Sequence, residues 1–65
     1  MNKTTANHHA RELYRAFLTR AKTETTKADW HAVVYPEDGV VVVHYLDAKE
    51  RNQEHVCVIR KSWGF

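Results

Sequence analysis

Apolar residues in the first third of the chain recur at helical spacing. Ala6, Ala10, Leu13, Phe17 and Ala21 form a stripe that Tyr14 and Leu18 widen, which predicts one amphipathic helix over residues 6–22. Thr4, Thr5 and Asn7 each carry a side-chain oxygen able to cap its start. A step of about 100° per residue sets His8, Arg11, Arg15 and Lys22 side by side next to the stripe, so one helix edge is basic. Thr23-Glu24-Thr25-Thr26 interrupts the periodicity and reads as a connection.

β-branched and aromatic residues dominate after it. They predict strands over 30–35 and 40–46, joined by Pro36-Glu37-Asp38-Gly39 as a hairpin loop. Pro36 suits the first central position of a type I turn, and Gly39 can supply the positive φ that rejoins the second strand. Such a loop pairs Tyr35 with Val40 and then Val34 with Val41, Val33 with Val42, Ala32 with Val43, His31 with His44 and Trp30 with Tyr45. One face thus carries Trp30, Ala32, Val34, Val41, Val43 and Tyr45, a natural seat for the helix; the other carries His31, Val33, Tyr35, Val40, Val42 and His44. A polar connection, Asp47 to Gln53, leads to a third strand over 55–61, apolar on both faces, whose register stays open because a one-residue slip exchanges them. The pattern predicts an α+β fold in one small domain, residues 1–65: an N-terminal amphipathic helix packed on a three-stranded antiparallel β-meander, in the order α-β-β-β.

Composition sets the scale. At 65 residues and 43% hydrophobic the chain can build one core, and it leaves no material for a second domain. Its apolar runs are far shorter than the roughly 20 residues a membrane span requires, and no signal-peptide pattern opens it. The lone Cys57 cannot form an internal disulfide, which points to a reducing, cytoplasmic setting. The net charge of +2 hides a division: residues 1–27 hold six cations against two carboxylates, and residues 28–65 hold four against six. Opposite ends of the chain can therefore meet partners of opposite charge.

The second sheet face is the informative feature. One helix covers one side, leaving Val33, Tyr35, Val40 and Val42 in need of a lid from Trp63 and Phe65, a second copy, or a protein partner. An outer strand of the meander also leaves a free edge that can accept another strand. These residues point to a small non-catalytic binding protein, of the kind that regulates or inhibits a larger complex or is encoded by a phage or plasmid, with a protein partner and a homodimer as the expected associations.

The alternative is a nucleic-acid-binding regulator. Arg11, Arg15 and Lys22 on the helix edge, with Arg60, Lys61 and Trp63 near the C-terminus, combine cations with a stacking ring. The α-β-β-β order is similar to the first part of the double-stranded RNA-binding domain. The resemblance covers element order alone, carries over no residue, and fails where that domain's second helix would follow. A third reading is a small RNase-like enzyme using histidine as acid and base with Arg60, Lys61 or Tyr45 at the phosphate, but no catalytic motif accompanies it, so no catalytic residue is assigned. His31 and His44 are expected cross-strand neighbours, and a third strand that set His55 beside His44 would align three imidazoles as candidate metal ligands. No cofactor motif is present. Cys57, inside an apolar run, reads as a core hydrophobe, and His8 and His9 read as surface residues.

Overall fold

The computed structural model of the chain describes residues 1–16 and 22–63. Phe17, Leu18 and Ala21 of the predicted stripe, and Phe65 of the predicted lid, lie outside the described residues. The order is α1 (Lys3–Ala16), β1 (Thr23–Lys27), β2 (Trp30–Tyr35), β3 (Val40–Asp47) and β4 (Gln53–Arg60), with single 3₁₀ turns at Ala48–Glu50 and Lys61–Trp63. The strands form one antiparallel sheet in sequence order, β1-β2-β3-β4, and α1 packs on one face of it, chiefly over β3 and β4. The α+β arrangement expected from the sequence is present, with a fourth strand.

α1 begins earlier than the apolar stripe implies. Asn2 caps it, accepting from the Thr5 backbone N–H at 2.8 Å, while its own carbonyl takes the Ala6 N–H at 2.9 Å. The three expected capping residues therefore sit inside the helix. Lys22 lies outside the helix, one residue before β1, and leaves the basic edge predicted for it. Ala6 and Ala10, one turn apart and fully buried, present no more than a methyl group each to the sheet, so the helix backbone can come close to Val41 and Val43 beneath. Tyr14, Ala32, Val34, Tyr45, Cys57 and Ile59 complete this core.

The β2–β3 hairpin has the expected register in every pair, from Trp30↔Tyr45 to Tyr35↔Val40. Its turn is closed by the Gly39 N–H donating to the Pro36 carbonyl at 3.2 Å, so Pro36 occupies the first corner and Glu37 and Asp38 the centre, one place later than expected. Gly39 is at φ +63°, and a Cβ there would stand 3.0 Å from Lys61 Cβ, so both backbone and space demand glycine. The segment read as a connection is β1, paired with β2 from Thr23↔Val34 to Lys27↔Trp30 across a two-residue turn at Ala28 and Asp29. Consequently β2 is an interior strand, and the edges are β1 and β4.

β3 and β4 are joined through the 3₁₀ turn. Asp47 caps it by accepting from the Lys49 N–H at 2.9 Å, and Arg51 and Asn52 follow in the left-handed region at φ 59° and 61°. This geometry fixes the register that the sequence left open: Val43 faces Cys57, His44 faces Val56 and Tyr45 faces His55. Lys61 falls just beyond β4, in the 3₁₀ turn, and donates its backbone N–H to the Gly39 carbonyl at 2.8 Å.

Candidate functional site

Strand pairing places every side chain of the open face in a lattice. One cross-sheet row runs Glu24, Val33, Val42, Val58; the next, toward the Leu46 end, runs Thr26, His31, His44, Val56. On the other side lies Tyr35, Val40, Arg60, and beyond the histidine row Leu46 faces Glu54. The four residues predicted for association are thus brought together: Val33 and Val42 are neighbours, as are Tyr35 and Val40 in the adjoining row. Val58 and Val56 extend the apolar area to the β4 edge, and these two were not among the predicted interface residues. Val33 is buried yet lies outside the helix-side core; Tyr35, Val40, Val42 and Val58 are half-buried, and Val56 is 54% exposed.

A polar rim surrounds this area. Lys22 pairs with Glu24 at 3.2 Å and holds its ammonium 5.4 Å from the Tyr35 ring centre. His44 Nδ1 lies 3.2 Å from Glu54 Oε1, and the His31 and His44 rings stack with centres 6.3 Å apart. A hollow of about 190 Å³ adjoins these histidines, and one of about 220 Å³ lies between Lys22, Tyr35 and the Pro36–Asp38 turn. Both are smaller than the roughly 300 Å³ from which small-molecule pockets start. Trp63, the described member of the expected lid, is 58% exposed.

The three candidate metal-ligating histidines are divided. His31 and His44 share the open face, whereas His55, opposite Tyr45, projects to the helix side and stacks on the Tyr45 ring at 5.5 Å. The three-imidazole row therefore does not form. His55 Nε2 is instead 2.7 Å from Glu50 Oε2 in a buried position, and Asp47, Glu50 and His55 hold donor atoms within 4.8 Å of one another at the β3–β4 connection. One imidazole and two carboxylates are a donor set that zinc or manganese accepts.

The basic candidates are divided as well. Arg11 and Arg15 continue a helix line from Lys3 and Asn7 above β4, while Arg60 is on the opposite face of the sheet and Lys22 is at the far β1 edge. Helical spacing joins Arg11, Arg15 and Lys22 in the sequence; the fold parts Lys22 from the two arginines and sets Arg60 in another layer. His9, read as a surface residue, stacks on Trp30 with ring centres 4.9 Å apart.

Cys57 is buried under α1 and donates its thiol to Asn7 Oδ1 at 2.7 Å. Burial pushes its pKa up, and the Lys3 and Arg11 charges only partly oppose this, so the thiol is protonated and unreactive at neutral pH. Tyr45 next to it is raised too, first by burial and then by the charges of Asp47, Cys57 and Glu50. These groups belong to the packed side of the sheet.

Comparison of the chain with family models, with curated proteins and with solved structures finds no match. Among the described residues, no helix is long and apolar enough to cross a membrane.

Proposed function

We propose that the protein acts by binding another protein through the open face of its sheet, as a non-catalytic regulator or inhibitor of a larger complex, the manner of small phage- or plasmid-encoded proteins. The observation that carries this reading is the apolar area of Val33, Tyr35, Val40, Val42, Val56 and Val58, contiguous by strand register and rimmed by charges of both signs. An apolar centre with a polar rim is how protein interfaces are built, and the aromatic Tyr35 beside flat β-branched residues supplies a rigid contact surface.

The other two readings draw less from the same geometry. A nucleic-acid surface needs cations on one side, and here the helix arginines and Arg60 lie in different layers. An acid–base centre at His44, oriented by Glu54 beside His31, has the right donors. Yet Arg60, the β4 cation of that face, stands four residues along the strand from the Val56 that faces His44, about 13 Å away.

The test is affinity capture from cells of the source organism, with wild type and Val42→Lys in parallel and with nuclease treatment. A protein held by wild type after nuclease, and released by Val42→Lys, is the expected result. Recovery of nucleic acid alone, or equal capture by both forms, overturns the reading.

A further inference from the structure

The two edges of the sheet are built differently. β1 is five residues long, polar throughout and closed by Lys27, which are the features that keep an edge from recruiting another strand. β4 is eight residues long and paired with β3 without a bulge; it contains no proline, and its outer edge is unpaired within the sheet. Its charges, Glu54 and Arg60, stand near the two ends and leave Val56, Cys57, Val58 and Ile59 apolar between them.

The side chains of β4 are also complementary to themselves. On the open face they read Glu54, Val56, Val58, Arg60: a carboxylate, two valines and a guanidinium, evenly spaced. We propose that a second copy of this chain pairs with β4 antiparallel about a two-fold axis through Cys57, joining two four-stranded sheets into one of eight strands. That register sets Glu54 of each copy opposite Arg60 of the other, and Val56 opposite Val58. A shift by two residues puts Glu54 or Arg60 opposite a valine, and parallel pairing puts like charge opposite like, so the pattern selects one arrangement.

The remaining features of the strand fit. Val56, 54% exposed, gains a valine neighbour, and Arg60, which makes no ion pair among the described residues, gains a carboxylate. The contact uses the strand edge rather than the face proposed for the protein partner, and it leaves that face open and twice as wide. Edge pairing buries less than the roughly 1,200 Å² of a standard interface, so the dissociation constant should fall in the micromolar range.

Sedimentation across a concentration series tests this. Wild type should dimerise, Glu54→Arg and Arg60→Glu should each weaken the dimer by about tenfold, and the double variant should recover it. An equimolar mixture of the two single variants should form a heterodimer more readily than either alone, as expected where these two residues meet across a two-fold. A monomer at all concentrations, or reversals without effect, overturns the proposal. Should a variant fold poorly, amide exchange on wild type decides the matter: β4 amides should gain protection with concentration and β1 amides should not. Val42→Lys should leave the dimer intact while abolishing capture of another protein; loss of the dimer in that variant would mean face-to-face association and would overturn the edge arrangement.

Discussion

Val43 and Val56 are the same residue type, lie in adjacent strands of one sheet, and differ from 0% to 54% in exposure. What separates them is one helix. On the covered side, Ala6 and Ala10 press against Val41 and Val43, and every remaining core residue points the same way. On the open side the valines are equally apolar, yet Val56 keeps more than half of its surface exposed. The contrast teaches that apolar alternation marks the surfaces that must leave water, while the number of elements available decides which of them do so within the chain. A surface left over is where a partner belongs.

Charge substitution gives the sharpest test of the contrast. Lysine at 43 would place an ammonium in a fully enclosed apolar site, a cost of several kcal/mol that consumes the stability expected of a domain this size. Val43→Lys should be unfolded by circular dichroism. Lysine at 42, one residue back and facing the other way, can extend its ammonium to water, so Val42→Lys should keep the wild-type spectrum and an unfolding free energy in urea within about 1 kcal/mol of wild type. If both variants unfold, the open face is part of the folding core and the comparison breaks.

A second test concerns how closely the helix approaches. Ala10 is fully buried over the sheet, so Ala10→Leu must displace α1 or force strained rotamers, at about 1–3 kcal/mol. Thermal unfolding measures it directly. An unchanged midpoint would show that the layers are not in tight contact and that covered and open faces differ less than their exposures imply.

How much of this was legible in the chain follows the strength of local signals. The β2–β3 hairpin was readable to the residue because Pro36 and Gly39 bracket a loop of fixed length, and the interface quartet follows from its register. β1 was not, because Thr23-Glu24-Thr25-Thr26-Lys27 has no apolar alternation. Its β-branched threonines were the one available sign, and its turn, Ala28-Asp29, lacks the Gly or Asn that announces a tight hairpin. The faces of β4 depended on Arg51 and Asn52 in left-handed conformation, which asparagine tolerates and arginine gives no hint of. For that reason the sequence leaves open whether His55 joins His44, and does not say that Val56 and Val58 are the strand's open-face residues. The basic residues illustrate the opposite failure: helix spacing is local and reliable, but whether Arg60 shares a layer with Arg11 is decided by the sheet, which no local pattern reports.

The smallest effect lies in alkali and belongs to the covered face alone. Cys57 and Tyr45 both have pKa values raised in the fold, mainly by burial, from ordinary values of 9.0 and 10.0. Each group is neutral when protonated, so above its ordinary value the unfolded chain releases the proton while the native state retains it. Their contribution to stability is intact below about pH 9, declines first through Cys57, then through Tyr45, and is lost as the folded values are passed. Urea midpoints should therefore fall in wild type as the pH rises past 9.0 and then past 10.0. Cys57→Ser keeps a donor for Asn7 but removes the thiol, so its decline should begin later, where Tyr45 takes over. A wild-type midpoint flat across this range would mean that water reaches Cys57 and Tyr45, and that the helix shields its face of the sheet no better than the open side is shielded.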